Sequence, residues 1–173
     1  MKRTLLTLSL MLPAAAFAQT PVTFPGGASS VQETFQDWQV SCSIRNETRL
    51  CSLSQQQRHK DNSQLVLALD LAPAAKDGVA GQLVLPFGLK LADGVTLQID
   101  AGTPFQPLAF STCLPAGCVV PVAFNAATVK ALRSATALKL ATTASDTPDR
   151  LEFAVSLKGF AGALDRAKTL GAP

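Results

Sequence analysis

Hydrophobic and polar residues alternate along several short stretches of this chain. The stretch 35–42 places Trp38 and Val40 on one face, and the stretch 151–158 alternates in the same way. A repeat of two residues is typical of a half-buried β-strand, because successive side chains point to opposite faces of a sheet. The stretch 65–69 is apolar at every position, which indicates a strand that is covered on both faces.

Turns and two short helices are predicted between or after these strands. Asp93-Gly94 lies between two apolar runs and predicts a tight β-hairpin. Pro121 lies inside a strand-like run and predicts an edge or bulge position, because proline cannot donate a hydrogen bond to a neighbouring strand. Asn125 is a suitable N-cap for a short helix, and the apolar spacing from Phe160 onward predicts a second short, amphipathic helix.

The pattern as a whole predicts about eight to ten short strands and one or two short helices. Such a series is typical of a mostly β, single-domain fold over residues 35–170, arranged as a β-sandwich or in a barrel-like way. The alternating stretches assign six large apolar residues to one core: Trp38, Leu67, Leu97, Ile99, Phe153 and Val155.

Residues 1–18 have the form of a secretory signal peptide. A basic start is followed by a largely apolar run over residues 4–17, which ends in the small-x-small motif Ala16-Phe17-Ala18. The run is shorter than the roughly 20 residues that span a bilayer, so cleavage after Ala18 is favoured over a membrane anchor. The mature chain is expected to be periplasmic or secreted, with residues 19–34 as a flexible leader.

The four cysteines agree with an oxidising compartment. Their even number predicts two disulfides, for which three pairings exist. The local pairing of Cys42 with Cys51 and of Cys113 with Cys118 is favoured, because each bridge can form without long-range assembly. A zinc site is disfavoured, since the cysteine spacing is unsuitable and His59 is the sole histidine of the sequence.

Composition and charge narrow the classes of function. The chain has 173 residues, of which 47% are hydrophobic and 16% charged, and this suits one folded domain with a sizeable core. The formal charge of +3 includes Lys2 and Arg3, so the chain that follows the signal peptide is close to neutral. Nucleic-acid binding driven by charge is therefore excluded as a leading hypothesis, because it requires a concentrated basic face.

Residues that commonly carry catalysis are few. The sequence has no recognised nucleophile, metalloprotease or phosphate-binding motif, and it predicts no catalytic, cofactor or metal site. His59, which every histidine-dependent mechanism would require, lies in the polar stretch 55–62 and is expected to be solvated in a loop or strand end. Trp38 is expected to anchor the core rather than to stack against a ligand.

A small basic cluster is the candidate binding surface of the sequence. It comprises Arg45, Arg49, Arg58, His59 and Lys60. A cluster of this kind could bind an acidic partner, for example a phospholipid head group or an anionic glycan. The alternative interpretation is a solvated hairpin end with no binding role.

Several segments carry a recognisable set of motifs. They are Trp38-Gln39-Val40-Ser41-Cys42, Leu83-Val84-Leu85-Pro86-Phe87-Gly88, Asp93-Gly94-Val95-Thr96-Leu97-Gln98-Ile99-Asp100, Thr112-Cys113-Leu114-Pro115-Ala116-Gly117-Cys118 and Leu157-Lys158-Gly159-Phe160. In this order, over residues 35–168, they resemble the invasion-associated locus B family of secreted bacterial proteins.

The resemblance implies an exported, periplasmic or envelope-associated protein, linked in pathogenic members to entry into host cells, including red blood cells. It implies no catalytic residues, and only the four cysteines are carried over as matched positions. The leading hypothesis is therefore a non-enzymatic envelope protein that binds an unidentified protein or glycan partner. The alternatives are a periplasmic carrier of a small ligand, indicated by a large apolar cavity, and an unrecognised hydrolase, indicated by converging carboxylates.

Overall fold

The computed structural model describes residues 22–172. The predicted signal peptide, its cleavage after Ala18 and the first residues of the predicted leader lie outside this range. The described chain forms ten strands and two α-helices: β1 (Ser30–Phe35), β2 (Trp38–Arg45), β3 (Thr48–Arg58), β4 (Leu65–Pro73), β5 (Val79–Leu85), β6 (Thr96–Ile99), β7 (Thr112–Leu114), β8 (Gly117–Phe124), α1 (Ala126–Ser134), β9 (Ala137–Thr143), β10 (Arg150–Ser156) and α2 (Phe160–Gly171).

The strands form two antiparallel sheets. The larger sheet has seven strands in the order β1-β2-β3-β4-β5-β8-β7, and the smaller has three in the order β10-β9-β6. Both sheets and α2 contribute side chains to one hydrophobic core. The predicted mostly β fold is confirmed. Neither sheet closes on itself within the described range, so the arrangement corresponds to the sandwich rather than to the barrel-like alternative.

Trp38 lies at the centre of the core. Its side chain is 1% exposed, and its ring packs edge-on against Phe160 with 5.1 Å between the ring centroids. Its indole N–H donates to the carbonyl of Ser156 at 2.8 Å, so the one polar atom of the side chain is satisfied. The prediction that Trp38 anchors the core is confirmed. Of the other predicted core residues, three are buried and two are partly buried at its edge: Leu67, Leu97 and Val155, and Ile99 and Phe153, respectively.

Two glutamine side chains of β3 cover the free edge of β10. The amide nitrogen of Gln55 donates to the carbonyl of Ser156 at 2.8 Å, and its amide oxygen accepts from the backbone N–H of Ser156 at 3.0 Å. Gln57 donates to the carbonyl of Ala154 in the same way, at 2.6 Å. The expectation that the stretch 55–62 is a solvated loop or strand end is therefore wrong for its first residues, because β3 continues to Arg58 and Gln55 is buried.

Both helices form where the sequence predicts them. The side chain of Asn125 accepts a hydrogen bond from the backbone N–H of Thr128 at 2.9 Å, which confirms the N-cap of α1. Gly159 precedes α2 with φ of +87°, and a Cβ atom at this position would collide with the carbonyl oxygen of Phe35. Within residues 22–172 neither helix has the length and apolar character required to cross a bilayer.

Helix α2 packs across β2 and β3 and is tied to β1 by an ion pair. Arg166 donates to the carboxylate of Glu33 through two nitrogen atoms, at 2.6 and 2.7 Å. This hydrogen-bonded guanidinium lowers the pKa of Glu33. The apolar face of the helix is buried in the core through Phe160, Ala163, Leu164, Ala167 and Leu170.

The predicted boundary between a flexible leader and the domain lies too late in the chain. Residues 30–35 form β1, which pairs with β2 along its whole length, and Phe24 is only 2% exposed. In β1 the inward positions are Val31, Glu33 and Phe35. A charged residue at an inward position interrupts the apolar–polar alternation of β1. The sequence does not show that Glu33 has a partner there, because Arg166 is distant in the chain.

The hairpin predicted at Asp93-Gly94 is not formed. Residues 91–93 make a single 3-10 turn, and Gly94 has φ of +67° and ψ of −161°, which is not a type I′ conformation. Strand β6 pairs with β9 instead of with the preceding run. Pro121 agrees with its prediction, because β7 pairs with β8 only as far as Val119 and leaves the proline on an unpaired side.

Candidate functional site

Both local disulfides predicted from the sequence are present. Cys42 and Cys51 are directly opposite each other on β2 and β3, with their Cα atoms 4.1 Å apart. Cys113 and Cys118 are opposite each other on β7 and β8. Each bridge therefore staples a hairpin, and no cysteine of the chain is free to act as a nucleophile or metal ligand.

The predicted basic cluster does not form one surface. Arg45 and Arg49 lie at the hairpin between β2 and β3, whereas Arg58, His59 and Lys60 lie at the far end of β3. Arg58 follows Arg49 by nine positions along the extended strand β3, which corresponds to about 30 Å. The sequence could not reveal this separation, because the intervening residues were not recognised as one continuous strand.

The three residues at the far end of β3 belong to a local turn. Arg58 donates to the carbonyl of Ser63 at 3.0 Å, and the backbone of His59 bonds to Gln64 and Ser63 at 2.9 and 3.0 Å. The side chains of His59 and Lys60 are exposed. Arg58, His59 and Lys60 are therefore solvated side chains at a turn.

Arg49 connects the two ends of the described chain. Its guanidinium donates to the carbonyl of Ala172 at 3.1 Å and to the carbonyl of Thr23. The same group lies over the ring of Phe24, 5.8 Å from the ring centroid, in a cation–π contact. Arg49 therefore has a structural role that its place in a basic hairpin loop did not indicate.

An open groove of about 1010 Å³ lies beside the start of β3. We call it the β3 groove. Its walls are formed by residues within 41–45 of β2, residues 49–52 of β3, the end of β4 with the turn that follows it (residues 72–77), and residues within 167–172 at the end of α2. The disulfide of Cys51 forms part of its apolar surface.

The β3 groove exists because β3 and β4 separate at this point. Pairing between the two strands begins at Leu53 with Leu71, and β4 ends two residues later at Pro73. Extending the register would place Pro73 opposite Cys51, and proline has no N–H to donate. The first residues of β3 therefore have β2 on one side and the groove on the other.

The rim of the β3 groove is basic. Arg45, Lys76 and Lys168 line it together with Arg49, and Asp77 is the one carboxylate among its lining residues. Lys168 contacts Asp77 at 2.9 Å, and the hydrogen bond from its ammonium group, together with its charge, lowers the pKa of Asp77. Asp77 is thus ionised at neutral pH and neutralised by its neighbour, which leaves an excess of positive charge.

Leu50 adds an exposed apolar contact to the β3 groove. Its side chain is 49% exposed and lies next to the disulfide cysteine Cys51. Leu50, Lys76 and Lys168 were not among the site residues predicted from the sequence. These residues come from three separate elements, so no local spacing could have indicated that they meet; the one visible signal was Pro73 as the end of a strand.

A second exposed apolar surface lies beside the other disulfide, which joins Cys113 and Cys118. Leu114, in the hairpin of β7 and β8, is 53% exposed, and Phe87, just beyond the end of β5, is 60% exposed. The hairpin meets β5 closely, because a Cβ atom on Gly117 would collide with the carbonyl of Leu85. Two of the sequence motifs therefore meet at one end of the fold.

The carboxylates of the described chain do not converge on a pocket. Burial raises the pKa of Asp70, on the outward face of β4, but its cross-strand neighbours are Ser54 and Gln82. Residues 22–172 contain no group of three or more His, Cys, Asp or Glu side chains that could hold a metal ion. The candidate site is therefore the β3 groove, which combines a basic rim with an apolar surface.

Comparison with known proteins places the chain in a family. A model of the invasion associated locus B (IalB) protein family matches residues 38–168. An invasion protein B homolog of Brucella abortus strain 2308 is 44% identical over 164 residues, which cover 95% of this chain and 92% of the relative. Invasion protein B of Bartonella bacilliformis is 33% identical over 172 residues, which cover 93% and 92% of the two chains.

A solved structure agrees with these sequence relationships. The crystal structure of invasion associated protein B from Bartonella henselae is similar with a TM-score of 0.75 and 35% sequence identity. The match covers 81% of this chain and 96% of the other. The family model, the sequence relatives and the structural similarity thus agree, and the chain belongs to the invasion-associated locus B family.

Proposed function

We propose that this chain is a non-enzymatic envelope protein that binds a protein or glycan partner through the β3 groove, and that in pathogens such binding promotes invasion of host cells. The observation that carries the proposal is the groove itself: an open, apolar concavity with a basic rim. Concave surfaces with a few placed polar groups are common binding sites. The relatives named above are named for invasion, which supports a role at the cell envelope or host surface.

The proposed location is the periplasm or the exterior, after removal of the signal peptide by cleavage following Ala18. Two disulfides fit a protein that folds in an oxidising compartment. All residues that line the β3 groove follow the predicted cleavage site, so removal of the signal peptide would leave the groove intact.

Binding is favoured over hydrolysis by the chemistry of the groove. A general acid at neutral pH needs a raised pKa, whereas the hydrogen bond from Lys168 lowers the pKa of Asp77. His59 lies about 30 Å away along β3, at the far end of the strand from Arg49. The proposal therefore assigns His59 no part in chemistry at the β3 groove.

Binding of a macromolecular partner is also favoured over carriage of a small apolar ligand. A carrier holds its ligand in an enclosed apolar cavity, away from water. The β3 groove is open and rimmed by charged side chains, and the core between the sheets is filled by large apolar residues. An open, charged groove suits a partner that remains largely outside the fold.

A pair of matched leucine substitutions tests the proposal. Leu50 and Leu114 are each about half exposed, and each adjoins a disulfide cysteine in a hairpin, but only Leu50 lines the groove. The mature protein and the variants Leu50→Glu and Leu114→Glu are used to capture partners from envelope and host-surface extracts and are applied to a glycan array. Each variant is also expressed in a strain that lacks the gene, to measure whether it restores the phenotype that the deletion removes.

We expect Leu50→Glu to lose the partner and the phenotype, and Leu114→Glu to keep both, at equal thermal stability. Loss in Leu114→Glu alone would place the interface at the other apolar surface and contradict the proposed site. Turnover of a captured molecule by the wild-type protein would favour the hydrolase alternative, and retention of a small apolar molecule would favour the carrier.

A further inference from the structure

The backbone of β3 is only half paired where it borders the β3 groove. β2 pairs with β3 from Thr48 to Ser54, whereas β4 pairs with it only from Leu53 onward. Residues 48–52 therefore have a partner strand on one side alone. A half-paired strand presents backbone N–H and C=O groups that can bond to another extended chain.

The hairpin geometry determines which backbone groups point into the groove. Asn46 and Glu47 form a two-residue loop with φ of +48° and +60°, so Arg45 and Thr48 are the hydrogen-bonded pair that closes it. Hydrogen-bonded and non-hydrogen-bonded pairs alternate from there. The Cα separation of 4.1 Å between the two cysteines of this hairpin agrees with a non-hydrogen-bonded pair.

The groups that face the groove are therefore those of Arg49 and Cys51. The residue opposite Cys51 would be Pro73, which cannot donate to the Cys51 carbonyl. Beyond Pro73 the chain turns back on itself: Ala74 donates to the carbonyl of Gly78 at 2.9 Å, and Gly78 donates to that of Ala75 at 3.2 Å. The turn thus uses its own hydrogen bonds and leaves the Arg49 edge without a backbone partner among the described residues.

The charge around this edge selects the kind of chain that fits. Arg45 and Lys76 line the groove and form no ion pair with any described residue, while Lys168 is already paired with Asp77. Leu50 lies between the two edge residues and offers an apolar contact. A chain with carboxylates among apolar residues would satisfy these groups, whereas a basic chain would be repelled.

We infer that the β3 groove binds an extended acidic peptide segment of a partner protein, which adds to β3 as a strand along residues 49–51. The inference rests on the proposed function and names the partner's chemistry. Backbone groups of the peptide bond to Arg49 and Cys51, and its carboxylates meet Arg45 and Lys76. A glycan or a lipid head group could meet the cations, but neither repeats the N–H and C=O spacing of a strand.

The first test measures binding of defined peptides to the full mature chain. The probes are blocked, dye-labelled heptapeptides of alternating glutamate and valine, and of alternating lysine and valine, measured by fluorescence anisotropy. Two further forms of the acidic peptide carry N-methyl groups on the valines alone or on the glutamates alone. In a strand only one of these alternate sets faces β3, so N-methylation of one set should weaken binding about tenfold and of the other set much less.

Matched double variants test the charge. Arg45→Glu/Lys76→Glu should weaken binding of the acidic peptide about tenfold or more and improve binding of the lysine peptide. Lys130→Glu/Lys139→Glu alters the net charge equally at exposed positions outside the β3 groove and should change binding less than twofold. Thermal unfolding of all the variants verifies that each is folded.

Three results would overturn the inference: equal binding of the acidic and basic peptides, equal weakening by both double variants, or N-methyl forms that bind alike. If the acidic peptides do not bind while Leu50→Glu still loses its partner and Leu114→Glu keeps it, strand addition is wrong and the proposed function stands. If Leu50→Glu also keeps its partner, the β3 groove itself is not the binding site and both are wrong.

Discussion

Replacing Gln55 by leucine should destabilise the fold, whereas the same replacement at the next residue, Gln56, should not. Gln55 is 6% exposed and forms two hydrogen bonds with the backbone of Ser156, which join the two sheets. Gln56 points to the opposite face, is exposed, and only accepts a long bond of 3.4 Å from Arg58. The pair therefore isolates the inter-sheet contact from any effect of composition.

The magnitude follows from the groups left without partners. Leucine has a volume similar to that of glutamine, so the main loss is of the two hydrogen bonds, and the bond to the Ser156 carbonyl is worth about 1 kcal/mol. The Ser156 carbonyl keeps its donor, the indole of Trp38 at 2.8 Å, but the Ser156 N–H loses its acceptor. An unpaired N–H in such a place costs about 1–3 kcal/mol, so the free energy of unfolding should fall by about 2–4 kcal/mol in total.

Urea unfolding measures this loss. Trp38 is the sole tryptophan and is buried, so its emission reports tertiary packing, and far-ultraviolet circular dichroism gives a second probe that is independent of its surroundings. For a chain of this size the melting temperature should fall by about 5–15 °C in Gln55→Leu. The Gln56→Leu variant should remain within about 0.5 kcal/mol of the wild type. Equal stability of the two variants would refute the reasoning.

Two further predictions concern charged and titratable groups. Because Arg166 lowers the pKa of Glu33, the ion pair's contribution to the free energy of unfolding is complete above the ordinary pKa of a glutamate and is lost as the pH falls through the lowered value. Glu33→Gln should therefore unfold at a lower urea concentration than the wild type at neutral pH, and at the same concentration in strong acid. A difference in urea midpoint that does not change with pH would contradict this. His59→Ala should leave the melting temperature unchanged and should restore the phenotype of a deletion strain as the parent does, because the side chain is exposed; loss of the phenotype at a normal protein level would refute the non-enzymatic reading and move the hydrolase hypothesis to first place.

Features that depend on neighbouring residues could be predicted from the sequence. Alternation predicted the strands around Trp38 and Val155, and the short cysteine spacings predicted both disulfides, because a hairpin brings such residues together without help from distant segments. The N-cap at Asn125 was equally visible, since capping is decided within one helical turn. The family resemblance added an expected location and a general role, but no site.

Only the tertiary structure decided which segments meet. Glu33 occupies an inward position of β1, where Arg166 on the last helix pairs with it, and the amide of the buried Gln55 bonds to the unpaired edge of β10. The residues of the predicted basic cluster were separated by the length of β3, and the β3 groove was assembled from β2, β3, the end of β4 with its following turn, and α2. The physical reason is that local spacing determines how a segment is shaped, whereas partners distant in the chain determine which polar groups are satisfied and which remain available to bind.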